Sequence, residues 1–359
     1  MTASRRRATR QASPGRGPRS AERDSQSAER DSQSADRGPR VAFSGEPGAF
    51  AEDAVLAAFE QPRPVPVPGF REVFEAVTAG CVPAPAPGSD EAVDEPIAAG
   101  VVPIENLVNG TVRENYDLLL EHHLVVAGEV VVPVRLCLAA LPGQSIEAIE
   151  RVYSHIQALG QAESFLRTRP WTLLTTYNTA GAAKLIVERG ELRAAAVLSP
   201  RAAALFGLEI LADGIQQVAD NRTRFLVVAR PESAPGVRSH LRRAAASAAA
   251  SGSGARSVSV ASVGPSLREQ AAAGVMRTTM VLAVRNEPGS LHRCLGAIAR
   301  LGLNMSKLES RPSRDRAWEY VFWIDLDADE AQAAAAAQAL ATDTSMLRIL
   351  GTYPRSADG

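Results

Sequence analysis

Between residues 41 and 229, short apolar runs alternate with stretches of helical period, and this alternation constrains the fold more than any other feature of the sequence. Residues 41–44, 100–104, 129–140, 152–154, 194–198 and 225–229 read as strands. Residues 49–59, 111–122, 157–167, 180–189 and 200–206 read as helices, with Tyr116, Leu119 and Leu120 on one face of the second. Alternating β and α units predict an α/β sandwich with parallel strands. Ligands in such folds sit beyond the carboxyl ends of strands or between lobes. A second, shorter body follows. Strands at 278–285, 305–310, 319–326 and 346–352, with helices at 289–301 and 330–340, give the order βαββαβ of a ferredoxin-like module.

The bodies are expected at 41–231 and 276–356. Between them, residues 232–275 run from ESAPGVRSH into AAASAAASGSGARS, which has the composition of a flexible linker. Residues 83–96, Pro-rich and then acidic, predict a surface insertion. Residues 1–40 contain SAERDSQ, SAERDSQ and SADR in sequence. The period is seven, but no apolar residue larger than Ala falls in the repeat, so it is no coiled coil. Such a segment buries too little surface to offset its ordering entropy, and a disordered tail is expected.

Net charge excludes some partners. The 359 residues carry −1 overall, but residues 1–40 hold +5, leaving −6 on the rest. A mildly acidic body argues against nucleic acid. No stretch of about 18 apolar residues is free of charge, which argues against a membrane span. The most apolar segment, 124–141, is interrupted by Glu129 and Arg135. Cys81, Cys137 and Cys294 are odd in number and widely spaced, which excludes a disulfide scaffold and favours a reducing, cytoplasmic location.

Four polar clusters fall at predicted strand ends. SGEPGAFA (44–51) is a strand-to-helix turn bearing Gly48, Ala49 and Phe50. Glu105-Asn106 follows GVVPI. Ser154-His155 follows ERVY, with Gln157 and Gln161 on the next helix. Asn221, Thr223 and Arg224 precede FLVV. One such cluster is weak evidence, because strand-end polar residues also cap helices; four together point to a site. The chain has no Gly-x-Gly-x-x-Gly, phosphate loop, nucleophile elbow or metal-ligand set, so neither cofactor nor metal is expected. An Arg, a Thr hydroxyl, amides and backbone N–H groups suit a small, anionic, oxygen-rich substrate.

These segments resemble the prephenate dehydratase family, including its arogenate dehydratase branch. GEPGAFAEDAV (45–55), VVPIENLVNGTV (101–112), VYSHIQALGQ (152–161) and NRTRFLVV (221–228) are similar to its motifs, in the family's order. NEPGSL (286–291), LESRPSR (308–314) and LGTYPR (350–355) resemble the amino-acid-binding ACT domain that follows these dehydratases. The resemblance implies two α/β lobes of periplasmic-binding-protein type with the active site in their cleft. The implied reaction converts prephenate, or arogenate, by decarboxylation with loss of hydroxide. It casts Thr223 as the hydroxyl that protonates or hydrogen-bonds the departing oxygen, and Arg224 as a carboxylate clamp or a support for Thr223. Phe225 packs the site. Asn106, Ser154, Gln157 and Asn221 supply hydrogen bonds, with Gln161, Gly48, Ala49 and Phe50 in the binding set. Glu105 either contacts substrate or caps a helix; His155 orients the shell. The resemblance also implies phenylalanine as effector at Asn286, Pro288, Gly289, Ser290 and Leu291, with Glu309, Ser310 and Arg311 contributed across a subunit interface of a homodimer or homotetramer.

The match has departures. Ala51 and Leu107 stand where the family usually has Ser, Ile156 where it has Pro, Gly160 where it has Ala, Leu198-Ser199-Pro200 where it has Ile-Ala-Ser, and Gln217 where an acidic residue is common. The readings carried forward are prephenate dehydratase and, as alternatives, arogenate dehydratase, a non-dehydrating prephenate decarboxylase, and a catalytically weak amino-acid sensor.

Overall fold

The structure, a computed structural model, describes residues 38–81, 96–241, 275–313 and 320–356. The expected tail, the Pro-rich insertion and most of the expected linker lie outside the described residues. The chain begins with β1 (Arg40–Ser44), α1 (Phe50–Ala58), β2 (Arg63–Val67), α2 (Phe70–Ala79), β3 (Ala99–Asn106), β4 (Gly110–Thr111), α3 (Arg113–Glu121) and β5 (Val125–Pro133). These build the first lobe. It continues through β6 (Cys137–Ala140), β7 (Arg151–Ser154), α4 (Ile156–Gln161), α5 (Glu163–Leu166), β8 (Thr172–Thr175), α6 (Thr179–Arg189), β9 (Ala194–Leu198), α7 (Pro200–Leu205) and β10 (Glu209–Asp213), which build the second. β11 (Arg222–Ala229) then returns to the first lobe.

The sheets run β2-β1-β3-β11-β5, with β4 beside β3, and β10-β6-β9-β7-β8. The expectation of parallel strands holds for β2-β1-β3 and for β9-β7-β8. It fails for β11, which lies antiparallel to both β3 and β5, and for β6 against β9 and β10. The reason is the double crossing between lobes: a returning strand enters its sheet from the opposite end. The expected long strand at 129–140 is divided for the same reason. Its break begins at Pro133, which has no N–H for a sheet ladder, and the two halves join different sheets.

Besides the two-residue β4, the elements β2, α2, β8 and β10 lie outside the expected ones. β2 (RPVPV) has two prolines yet pairs with β1 at the sheet edge, where a missing donor is tolerated. α2 and β10 carry no motif. A further helix occupies residues 234–241 (α8), where a linker was expected. Pro235 lies in its first turn, where proline is compatible with a helix. Ala234, Val237 and Leu241, at i, i+3 and i+7, bury into the first-lobe core.

The second body is β12 (Met276–Val284), α9 (Ser290–Arg300), β13 (Asn304–Pro312), β14 (Tyr320–Asp327), α10 (Glu330–Leu340) and β15 (Thr344–Pro354), in the expected βαββαβ order. Its sheet runs β13-β14-β12-β15. Helices α9 and α10 cover one face over Met280, Leu282, Ile298, Phe322 and Ile324. The other face is packed on the first lobe. Val281, Trp323, Leu350 and Tyr353 share one core with Phe74, Ile104, Tyr116 and Leu119. The Trp323 ring stands edge-on to Tyr116 at 4.7 Å between centroids. Backbones meet at Gly351, where a Cβ would lie 2.0 Å from the Val126 carbonyl oxygen, so only glycine fits.

Candidate active site

One β-bulge decides which face of the first-lobe sheet the expected residues meet. β3 and β11 are in register from Gly100 opposite Val228 to Pro103 opposite Phe225; Ile104 is then passed over, and Glu105 pairs with Arg224 and Asn106 with Thr223. An extra residue in one strand inverts the alternation of the residues beyond it. Glu105 is thereby turned to the same face as Arg224, toward the second body. Asn106 and Thr223 are turned together to the opposite face.

Asn106 is the hub of that face. Its Oδ1 accepts from the N–H groups of Val108 and Asn109 at 3.0 and 2.9 Å, closing the β3–β4 turn. The amide is so oriented that Nδ2 donates to Asn221 Oδ1 at 2.9 Å, Thr223 Oγ1 at 2.9 Å and the Arg222 carbonyl at 3.1 Å. Thr223 Oγ1 is thus an acceptor here, and its own proton remains available to another group. Asn221 Nδ2 is buried with no hydrogen-bond partner among the described residues. A buried orphan donor of this kind calls for an acceptor from outside the chain. Phe225, two residues beyond Thr223 on the same face, is buried beneath them.

The turn after β1 joins the lobes. Gly48, at φ +89°, approaches Ala202 so closely that a Cβ would lie 3.0 Å from its Cα. Its carbonyl accepts from Ser199 Oγ at 3.2 Å and its N–H donates to Glu52 at 2.7 Å. Ala49 is buried, and Phe50 packs against the cores of both lobes. Arg201 of the second lobe pairs with Glu52 at 2.8 Å and with Asp53 at 3.0 Å. Burial pushes the Asp53 carboxyl up to about 6, against the pull of Arg201 and with a further push from Glu52.

The remaining expected residues lie on the second lobe. Ser154 is fully buried, and its hydroxyl donates to the Val197 carbonyl at 2.5 Å, so its proton is committed to the lobe's own core. His155 caps α4, its Nδ1 accepting from Gln157 N–H at 3.3 Å. Burial lowers its pKa, which favours the neutral ring. Gln157 is exposed. Gln161 is buried, and its carbonyl accepts from Gln217 N–H at 2.8 Å.

Three sets of the expected residues point away from the Asn106–Thr223 face. Arg224 does not face Thr223's side of the sheet. Its Nε meets Glu129 at 2.7 Å, its Nη1 meets Asp325 of β14 at 2.8 Å, and its Nη2 donates to the Tyr353 hydroxyl at 3.3 Å. Glu105 bonds Lys307 Nζ of β13 at 2.6 Å and neither reaches Asn106's face nor caps a helix. Glu309 and Arg311 turn toward the catalytic lobe of their own chain. Thr111 Oγ1 donates to Glu309 at 3.1 Å, and Arg311 bonds the Arg113 carbonyl and Asp117. Residues 286–289 do form the expected turn into α9, with Gly289 at φ +80° and Ser290 buried.

Sequence reasoning passed over Glu129, Arg277, Asp325, Lys307 and Tyr353. The first two are joined at 2.9 Å, and Ser356 N–H also donates to Glu129 at 2.7 Å. Burial would raise the Asp325 carboxyl, but Arg224, the Thr279 hydroxyl and Arg277 outweigh it and hold it below the ordinary carboxylate value. Among the described residues, no group of three or more His, Cys, Asp or Glu side chains is arranged to hold a metal ion, and no helix is long and apolar enough to cross a membrane.

The family profile described as prephenate dehydratase matches residues 41–233, over half of the chain. The chain belongs to the prephenate dehydratase family. A second profile, the ACT domain, matches residues 278–341. Arogenate dehydratase/prephenate dehydratase 1, chloroplastic, of Arabidopsis thaliana is 33% identical over 328 residues, covering 87% of this chain and 71% of that one. The structure of a prephenate dehydratase from Arthrobacter aurescens in complex with L-Phe matches with a TM-score of 0.68 at 26% identity, over 89% of this chain and 91% of that one. A protein described as a novel type of quorum-quenching acylase matches with a TM-score of 0.67 at 26% identity, over 89% and 99%. The same fold therefore carries another named activity, and for this family member the reaction must be argued from the site.

Proposed function

We propose that the chain converts prephenate to phenylpyruvate, carbon dioxide and water, with Asn106, Asn221 and Thr223 as the groups at the reacting centre. The C–C bond to the ring carboxylate breaks and its electron pair enters the ring. The C–O bond opposite breaks, hydroxide departs and takes up a proton, and aromatisation drives both. The observation that carries this reading is the hydrogen bond from Asn106 to Thr223 Oγ1. With the hydroxyl oxygen accepting from Asn106, the Thr223 proton is left for another acceptor, in this reading the leaving oxygen. The orphan Asn221 Nδ2 beside it supplies a second donor. A threonine hydroxyl is a weak acid, so positioning and electrostatic stabilisation carry most of the rate in this reading.

The ACT module gives phenylalanine as the effector, at the turn over 286–291. A homo-oligomer in the cytoplasm completes the proposal. The test is the purified protein with prephenate, followed by the ultraviolet absorbance of phenylpyruvate. Phenylpyruvate formation is expected. Carbon dioxide without an aromatic product would make the chain a decarboxylase, and a higher kcat/KM for arogenate would assign it to that substrate. Turnover of neither substrate would leave the sensor reading. Phenylalanine should bind in calorimetry and lower turnover; binding without that change would remove the feedback role.

A further inference from the structure

We propose that Lys307 and Asp325 of the ACT module are positioning residues for the reacting groups, Lys307 setting Asn106 through Glu105 and Asp325 setting Thr223 through Arg224. The proposal rests on the dehydratase reading above. Each cleft residue has as its chain neighbour a charged residue that faces the other way. Glu105 immediately precedes Asn106 and bonds Lys307 at 2.6 Å; Arg224 immediately follows Thr223 and bonds Asp325 at 2.8 Å. The two arms are joined, since Glu105 lies 3.9 Å from Arg224. The bulge at Ile104 is what aligns them: without it, Glu105 and Arg224 would lie on opposite faces.

Three of the four charged side chains are largely withdrawn from water, while Glu105 is 38% exposed. The Lys307 and Arg224 side chains are each 11% exposed, and Asp325 4%. Lys307 Nζ also lies 5.6 Å from the centre of the Tyr116 ring. Removing Asp325 strands the buried Arg224, and removing Lys307 releases the partly exposed Glu105 toward water; either change frees the strand that bears the released charge to shift. Consecutive Cα atoms are held about 3.8 Å apart, so a displaced Glu105 or Arg224 carries its cleft neighbour with it. Lys307 is one of two lysines in a chain otherwise basic through arginine.

The test compares full-length wild type with Lys307→Met, Glu105→Gln, the double variant, Lys307→Arg and Asp325→Asn, assayed on prephenate. Lys307→Met and Glu105→Gln should each lower kcat by about tenfold or more with KM changed by less than about threefold, the pattern of lost transition-state geometry. The double variant should be no worse than the weaker single, because the two act as a unit, and Lys307→Arg should recover most of kcat. Wild-type kcat in Lys307→Met, or losses that multiply in the double variant, overturns the proposal; multiplied losses would mean that Glu105 acts on the substrate itself. Amide exchange read by mass spectrometry provides a measure independent of turnover. Residues 99–106 should exchange faster in Lys307→Met, and 222–229 in Asp325→Asn, with 194–198 of the second lobe unchanged. If wild type turns over neither prephenate nor arogenate, the dehydratase reading falls; unaltered exchange in both strands would then overturn the positioning as well.

Discussion

At the scale of the residue, the site depends on which proton is free. Asn106 donates to Thr223 Oγ1 rather than accepting from it, because its own oxygen is held by Val108 and Asn109. Thr223→Ala should therefore lower kcat by about 100-fold or more with little change in KM, the size associated with a lost proton donor; steady-state kinetics on prephenate check this, and normal turnover would remove Thr223 from the chemistry. Asp53 offers a pH test. Its folded pKa of about 6 lies above the ordinary 3.8, so the folded state holds the proton more tightly and stability falls as pH rises between those values. The loss is on the order of 3 kcal/mol at neutral pH. Denaturant titrations at pH 4 and pH 7 should show Asp53→Asn gaining on wild type across that window, and a constant difference would contradict the shift. Thr223, Asn106 and Asn221 were legible from their places at strand ends. The face that Glu105 meets was not, because a sequence does not say which face of a sheet a residue meets once a bulge intervenes.

At the scale of the element, strand alternation and its one interruption do most of the sorting. Thr223 and Phe225 face the α1 side of the sheet while Arg224 and Leu226 face the ACT module, as period-two geometry requires. Glu129 in VVAGEVVVP and Asp325 in YVFWIDLD are charged residues inside apolar strands. That pattern is a readable signal of a buried ion pair, but the partner belongs to another element and is invisible locally. The packing of β15 on β5 is a second case. Gly351→Ala should push these backbones apart and lower stability by about 1–3 kcal/mol or more. Gly296→Ala, within α9 where a Cβ meets only the end of the Arg300 side chain, should instead raise it by about 0.5–1 kcal/mol. Thermal melts of the two variants check the contrast, and equal melting points would show that the close approach is not restrictive.

At the scale of the whole molecule, the ACT sheet is a structural layer of the enzyme. It supplies Trp323, Leu350 and Tyr353 to the first lobe's core and balances two buried carboxylates, Glu129 and Asp325, with Arg224 and Arg277. A charge set of this kind is strongly destabilised when one partner is removed, by about 3–5 kcal/mol. A chain ending after residue 241 leaves Glu129 without Arg277 and exposes Tyr116. It should melt well below the full chain or aggregate, whereas the full chain should unfold in one transition. Calorimetry checks both, and an unchanged melting point for the shortened chain would show that the two bodies are independent. The molecule has a further consequence for attraction of substrate. With −6 outside the first forty residues, the overall field does not draw in a dianion, so local donors in the cleft must do so.

The sequence by itself determined the α/β class, the βαββαβ module and the family. Periodicity and motifs are local quantities, and each of these features is written within a few residues of chain. Tertiary structure alone decided that β11 returns antiparallel, that Ile104 is passed over, and that Glu105, Arg224, Glu309 and Arg311 make contacts between the two bodies. Those outcomes depend on which surfaces meet across separations of up to 202 residues, and on the rule that a charge withdrawn from water must find its opposite there.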